Sequence, residues 1–542
     1  MIETVAARVA RALELDGFRP QVSPQGLSFR GALQVRAQRI VVRLDYDGTE
    51  FAHPPAIFIE NPDALGMGVF PHLDEDGKLC AVDQRQFVAD RYRAAELARG
   101  IVRRAALVLE KGQLPSAVAE IAEEFPRHWG GHTISVEFGP FDGFAEPFAD
   151  QNDKMRLRRS GEPILPPKTG AVVVATSTPL SFRAGQRRPQ TLAEVLAWAD
   201  TWDSSLRVRL VERLAAVGPT DPYAVIHAPN GIVGFQLLVS SRGTNQVAAI
   251  TRPSTWAKLL QARFGLALPI KRLQGIRVDT PYILGTNSHD GSAPLSGKRV
   301  VLVGCGAIGG FLSVALAQLG AGLSTGVLTL IDPEKLADRN VARHRNGIDR
   351  AGLAKAIGCK QAIDLALPGL SVVALERSVE RCRHQVNSAD LVIDATGEQG
   401  ISEMLNAWRL AERAEGKAGP DLLHTWVEGN GAAVQSFLGS DPEFGCYRCL
   451  HPDHLKEPRF PVLRPDADIT LATGCGETPF SPYGPAAPMA ASALAAHHAT
   501  DWARGHGRPL LRTIRLSYAE TQERKPTNPP RSALCPACSE DA

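Results

Sequence analysis

Neither sign of charge is in excess in this 542-residue chain: 60 Lys and Arg stand against 58 Asp and Glu. It therefore offers no broad positive field to a phosphate backbone, and nucleic acid is not expected as a partner. Long apolar runs are missing as well. The longest small-apolar stretch, 486–496, stops at His497-His498 and is too short to cross a bilayer. Met1-Ile2-Glu3-Thr4 lacks the basic start and apolar core of a secretory leader. Nine cysteines, an odd number in a large chain with four of them in two CxxC pairs, fit reduced thiols better than a disulfide scaffold. No internal repeat or low-complexity tract is visible. What remains reads as a globular protein of the cytoplasm, without a membrane partner, long enough for about three domains with a core each.

The feature that is present and organises the rest is a glycine loop. A strand over 300–303 leads into Gly304-Cys305-Gly306-Ala307-Ile308-Gly309, and a helix over 311–319 follows. In such a unit the first glycine permits a tight turn, and the second lets a phosphate approach the main chain. The third lets the helix pack on the strand with its N-terminal N–H groups facing the anion. A second strand, 327–331, delivers Asp332, placed to accept the ribose hydroxyls of a nucleotide. Asn340, Arg343 and Lys355 then put an amide and two cations into one loop and helix start. A dinucleotide has no need of them. A triphosphate does, because its charge must be offset while a carboxylate attacks the α-phosphate.

Two further patterns carry chemistry. Cys446-Tyr447-Arg448-Cys449 and Cys535-Pro536-Ala537-Cys538 each set two thiolates across one tight turn, the bite of tetrahedral zinc, and two pairs make one site. Its expected role is to pin the chain beyond the proline-rich 525–530 onto its domain. His451 and His454 are outside candidates. Between the pairs, Thr473-Gly474-Cys475-Gly476-Glu477 sets a cysteine in a glycine-flanked loop ahead of an Ala-rich helix over 487–504. Cys305, Cys359 and Cys382 read as structural.

The first 120 residues read as a helix over 2–15, a meander of strands over 27–35, 39–46 and 56–60 interrupted by His53-Pro54-Pro55, and a closing helix over 89–110. His53 reads as structural. Between sheet and helix, Phe70-Pro71-His72 opens a polar turn that ends on Cys80. Residues 132–285 show strands over 133–138, 171–175, 224–227 and 233–239, helices over 192–214 and 254–264, and a proline-glycine loop over 161–170. Trp198 and Trp202 read as core. This middle stretch carries no nucleophile, metal spacing or phosphate loop, and is expected to position the domains around it and to dock the target.

Asp332, Asn340 and Arg343, with Gly352-Leu353-Ala354-Lys355 and Ala389-Asp390-Leu391-Val392-Ile393-Asp394, resemble the adenylation domain of ubiquitin-activating enzymes and their ThiF/MoeB relatives, over about residues 290–520. The resemblance implies ATP, magnesium, and adenylation of another protein's C-terminal carboxylate. It implies Gly304, Gly306, Gly309, Asp332, Asn340, Arg343, Lys355 and Asp394 about the nucleotide, with Arg343 and Lys355 also stabilising developing charge. It further implies zinc on Cys446, Cys449, Cys535 and Cys538, a thioester on Cys475, and a homodimer. Where that family carries Asp after the Thr of this strand, to hold magnesium, the chain has Thr396-Gly397-Glu398, which leaves Asp394 or Glu398 to take the role. The first part resembles a ubiquitin-conjugating enzyme, in which the cysteine, here Cys80, carries the modifier as a thioester. Pro71 matches the proline of that family's His-Pro-Asn, and His72 stands in the place of its Asn, as orienter or oxyanion donor.

Together the halves are similar to the bacterial ubiquitin-transferase-like fusions of CBASS antiphage defence and related bacterial ubiquitin-like operons. The expected fold is α/β multidomain. It comprises a ubiquitin-conjugating-like α+β domain at 1–125, an α/β linker domain at 126–288, and a Rossmann-type ThiF adenylation domain with a zinc clamp at 289–542. The resemblance implies an acyl-adenylate captured by Cys475, passed to Cys80 and then to an amine, with a cGAS/DncV-like nucleotidyltransferase or a ubiquitin-like protein as the activated partner. The chain ends Ser539-Glu540-Asp541-Ala542, without a terminal glycine or a small modifier domain, so that partner is expected in trans. Three competing readings remain. A sulfur-carrier adenylyltransferase of ThiF/MoeB type leaves 1–285 without purpose; a dehydrogenase would use the loop for NAD; a scaffold would be non-catalytic.

Overall fold

The alternation near the start of the chain becomes a five-stranded antiparallel sheet. Its strands β1 (Arg19–Ser23), β2 (Gly26–Val35), β3 (Gln38–Asp47), β4 (Ala56–Ile59) and β5 (Lys78–Leu79) pair in chain order in this computed structural model. Residues 4–23, 26–48, 50–65, 68–82, 87–159, 170–183, 185–240, 253–471 and 481–539 are described by it. β3 buries Ile40, Val42, Leu44 and Tyr46 and turns the residues between them outward, as a strand with one covered face must. Helices α1 (Val5–Leu15) and α2 (Ala94–Gly112) lay Val9, Leu13, Ala98, Ile101, Ala105 and Leu109 on that face. The helix expected from 89 begins at Ala94 because the Asp90 carboxylate first accepts the N–H groups of Tyr92 and Arg93, closing a short 3-10 turn. His53 is exposed.

Two short helices, α3 (Val118–Glu123) and α4 (Phe125–Trp129), lead into a closed barrel. Its strands are β6 (His132–Val136), β7 (Gly143–Ala149), β8 (Met155–Arg159), β9 (Ala171–Ala175), β10 (Tyr223–Ala228), β11 (Gly231–Leu237) and β12 (Ile270–Arg277), in the order β10-β11-β12-β6-β8-β7-β9. Three of these, β7, β8 and β12, are absent from the sequence reading. β8 buries only Leu157 among four flanking polar or exposed residues, so no alternation marks it. The single helix expected over 192–214 breaks into α5 (Leu192–Asp200) and α6 (Ser204–Ala216). The cause is Asp203, whose carboxylate accepts the Ser205 N–H at 2.9 Å and starts a second helix. Trp198 is buried with Phe125, Trp129 and Phe182, and Trp202 packs against that core. The loop expected over 161–170 lies, but for Gly170, outside the described residues.

Sheet and barrel form one compact unit, Met1–Asp279; the second unit is Thr280–Ala542. In the latter, β13 (Arg299–Val303), β14 (Val327–Ile331), β15 (Val372–Leu375), β16 (Leu391–Asp394), β17 (Asp421–Glu428), β18 (Ala433–Gly439) and β19 (Leu511–Arg515) are ordered β15-β14-β13-β16-β17-β18-β19. The first five in that order run parallel and the last two antiparallel. Helices α7 (Ala307–Gln318), α8 (Lys355–Ala366), α9 (Gln399–Ala414) and α10 (Ala486–Ala503) accompany the sheet. Val303 is in register with both Ile331 and Asp394, so Gly304, Asp332 and Ala395 leave the sheet side by side. That is the point where the strand order reverses and where open α/β sheets bind ligands. Among the described residues, no helix is long and apolar enough to cross a membrane.

Candidate active site

The glycines do three different things. Gly304 turns the chain at φ +86°, a left-handed conformation, and a Cβ there would come within 3.0 Å of Thr396. Gly306 precedes the first turn of α7 with nothing within 4 Å of where a Cβ would stand, so the main chain is open to a ligand. On Gly309 a Cβ would lie 1.8 Å from the Gly304 carbonyl oxygen; only glycine lets α7 come this close to its own loop. Above them opens a cavity of about 780 Å³, whose walls include Gly304, Gly306, Asp332, Arg343, Lys355 and Asp394. Asn340, on the 3-10 stretch Asp338–Arg343, is not among its lining residues.

Asp332 is buried and braces the loop as well as facing the cavity. Its Oδ2 accepts the Cys305 N–H at 2.7 Å and its Oδ1 the Glu334 N–H at 2.8 Å. Burial lifts its carboxyl above the ordinary value in spite of these bonds. On the other side of the loop, His344 Nε2 bonds the Cys305 carbonyl oxygen at 2.7 Å, and its Nδ1 accepts the Asn346 N–H at 3.0 Å. That pattern requires the neutral ring with its proton on Nε2, in keeping with burial holding its pKa down. Lys355, the first residue of α8, is buried and its ammonium pairs with Glu334. The Arg343 guanidinium lies over the Tyr483 ring, 5.1 Å from its centroid.

Asp394, at the end of β16, has each carboxylate oxygen bonded twice. Oδ1 accepts the Thr396 N–H at 3.1 Å and its hydroxyl at 2.7 Å; Oδ2 accepts from His424 Nδ1 at 2.9 Å and from the Ser402 hydroxyl. Burial pushes this carboxyl up, but His424, Ser402 and Thr396 outweigh it and hold the group below its usual value. Glu398 is different. It is exposed, and burial of part of the group together with the charges of Glu334, Asp394, Asp332 and Glu380 raises its pKa. His344, Ser402 and His424 carry no motif of their own; only their hydrogen bonds reveal them.

The four cysteines of the CxxC pairs meet as expected, their sulfurs all within 4.8 Å of one another. Cys446 and Cys535 are 3.8 Å apart and Cys449 and Cys538 3.4 Å. A tetrahedron with Zn–S near 2.3 Å has edges of about 3.8 Å, so the donor set fits zinc. His451 bonds the Lys456 carbonyl oxygen and His454 bonds Gln399, and neither belongs to the cluster. Cys305, Cys359 and Cys382 are buried.

Cys80 is partly exposed at the end of β5, and its N–H donates to the His72 carbonyl oxygen at 2.8 Å. His72 has a left-handed φ of +58°. Its ring meets two carboxylates, Nε2 at 2.9 Å from Glu120 and Nδ1 at 3.4 Å from Glu124. Their charge raises its pKa. Glu124 contributes most, because the nearer Glu120 is the more exposed of the two. The link from His72 to Cys80 is thus through the main chain. Cys475 falls in 472–480, outside the described residues.

The ThiF family model matches residues 282–537, and that of Prokaryotic E2 family B matches residues 10–135. The chain is 29% identical over 521 residues to the ATP-dependent ubiquitin transferase-like protein Cap2 of Pseudomonas aeruginosa (strain BWHPSA011 / Pa011), covering 91% of this chain and 90% of that protein. To the Cap2 protein of Vibrio cholerae serotype O1 (strain ATCC 39315 / El Tor Inaba N16961) it is 30% identical over 379 residues, 65% of this chain and 61% of that one. Among solved structures, E. coli MccB with ATP is 21% identical with a TM-score of 0.34, covering 45% of this chain and 68% of that chain. With a ThiF match over the glycine cradle, an E2 family match over the Cys80 turn and a relative aligned along almost the whole length, the chain is a fusion of an E2-like domain and a ThiF-family domain, an E1/E2-like enzyme with an ATP site.

Proposed function

We propose that this enzyme activates the C-terminal carboxylate of a separate protein with ATP, holds the acyl group first on Cys475 and then on Cys80, and joins it to an amine, in the manner of an antiviral conjugation system. The observation that carries this reading is the cavity over Gly304 and Gly306, into which Asp332, Arg343 and Lys355 converge. A carboxylate oxygen of the partner attacks the α-phosphorus of ATP and pyrophosphate leaves. Arg343 and Lys355 offset the charge that develops, a role open to Lys355 because its counter-ion Glu334 is exposed enough to release it. The Cys475 thiolate then attacks the acyl carbon and AMP leaves. Cys80 displaces Cys475 in turn, and the target amine displaces Cys80, regenerating its thiol.

Magnesium, which when bound offsets phosphate charge, would be held by Glu398. Asp394 is committed to four donors, whereas Glu398 stands among like charges that a cation would relieve. Zinc would be held by Cys446, Cys449, Cys535 and Cys538. The activated protein is a cGAS/DncV-like nucleotidyltransferase or a bacterial ubiquitin-like protein supplied in trans, and the enzyme works as a homodimer. A sulfur-carrier adenylyltransferase is the weaker reading, since alignment to a ubiquitin transferase-like relative runs through the Cys80 half.

The test is a non-reducing gel of the enzyme with ATP and small proteins encoded beside its gene. The expected result is reductant-sensitive bands with one partner: Cys475→Ala removes all of them, and Cys80→Ala leaves the band on Cys475. No band with any neighbour would overturn the relay.

A further inference from the structure

The turn that carries Cys80 is not held by the five-stranded sheet alone. Val69 is buried in the core built by the barrel and α5 and α6. The next residue, Phe70, is buried in the core of the sheet, against Gly112 of α2. The chain thus passes from one core to the other immediately before Pro71-His72. Further along, Glu75 pairs with Arg272 of β12 and lies beneath Gly130, where a Cβ would come within 2.5 Å of its carboxylate. The His72 ring meets Glu120 of α3 and Glu124. Arg272 is a buried cation whose Nε and Nη1 find no partner among the described residues, which makes the one carboxylate that it does pair with hard to replace.

We propose that the barrel is a working part of the conjugating site. Arg272 of the barrel latches the Cys80 turn at Glu75, and Glu120 and Glu124, in and just after the α3 that leads into the barrel, latch it at His72, so that Arg272 and His72 are positioning residues for that thiol. The inference rests on the reading of Cys80 as the conjugating thiol. The latch reaches the sulfur through main-chain bonds: Cys80 N–H to the His72 carbonyl oxygen at 2.8 Å, and Asp74 N–H to the Lys78 carbonyl oxygen at 3.1 Å. A shift at His72 or Glu75 is therefore a shift of the strand that ends on Cys80. Misplacing a nucleophile by about 1 Å can cost on the order of a hundredfold in rate. The middle stretch, which has no chemistry of its own, contributes by holding another domain's cysteine still.

The experiment is hydrogen exchange, read by mass spectrometry at the Cys80 amide in the full-length chain. Glu75→Gln and Arg272→Gln should each speed that exchange by about tenfold or more, with protection in β2 and β3 unchanged. If the two act as one pair, the double variant exchanges no faster than the faster single one, and Arg272→Lys recovers part of the loss. Glu120→Gln with Glu124→Gln, at two partly exposed positions, tests the second point without emptying a buried site. Unchanged exchange at Cys80 would overturn the latch. So would additive effects of Glu75→Gln and Arg272→Gln, or loss of protection spread evenly over the sheet. Neither ATP nor a partner is needed, so the latch is decided apart from the thioester relay.

Discussion

Lys355 is a buried ammonium on the first turn of a helix, where the macrodipole disfavours a cation. Only a charged partner justifies that position, and Glu334 supplies one at the cavity edge. Replacing Lys355 by Ala should lower partner-dependent ATP–pyrophosphate exchange by about 10²–10³, the usual cost of one preorganised donor to developing charge. The fold should survive, since the exposed Glu334 is left in water. At His72 the consequence is one of pH. Its folded pKa lies above 6.5, so what the protonated ring contributes is complete below 6.5 and is lost as the pH rises through the raised value. Glu120 and Glu124 face this ring, with His128 beyond Glu124 and Arg127 and Arg188 beside His128. An NMR titration of His72 should give a midpoint above 6.5 that falls in Glu120→Gln/Glu124→Gln. The same rise in pH should loosen the Cys80 amide in the parent and not in that variant.

Among the elements, α7 depends most on a single position. A Cβ at Gly309 would lie 1.8 Å from a carbonyl oxygen, closer than any contact a side chain makes, so Gly309→Ala must push the helix off its strand. Forcing atoms into a packed site costs about 1–3 kcal/mol. The expected outcome is a lower thermal midpoint of the second unit together with weaker ATP binding, measured by calorimetry; Gly400→Ala, with nothing within 4 Å, should change neither. Elements were legible where a local pattern exists. The alternation of β3, the glycine loop and the Ala-rich α10 all announce themselves, because main-chain geometry and burial on one face are written in neighbouring residues. The break between α5 and α6 was written there too, in Asp203, but apolar spacing on both sides hid it. β7, β8 and β12 had no such pattern. They are strands because the barrel closes around them, and pairing partners distant in the chain decide that.

Over the molecule as a whole, the cysteine cluster joins stretches that lie far apart in the chain, Cys446 and Cys449 with Cys535 and Cys538. A zinc ion held there would cross-link these distant points and tie the last stretch of the second unit to the metal. Purified protein should contain about one zinc per chain by elemental analysis, consistent with one Cys₄ site. A chelator or Cys535→Ser should expose the last residues to proteolysis while leaving hydrogen exchange in the sheet of β1–β5 unaltered. Chelation without effect on either unit would mean that the cluster stands without metal.

The nucleotide loop, the two thiol pairs, the polar turn that ends on Cys80 and the order of the halves could all be read from the amino-acid order, because each depends on residues a few positions apart and on what a glycine or a CxxC turn permits. It took the folded chain to reveal that Asp394 is bound up by Ser402 and His424, that His344 braces the loop carbonyl, and that the His72 ring meets Glu120 and Glu124 while its main-chain carbonyl accepts the Cys80 N–H. A hydrogen bond between residues tens of positions apart has no local signature. It exists because packing brings a donor and an acceptor from distant parts of the chain within bonding reach, and the more that packing covers them, the less water can take the partner's place.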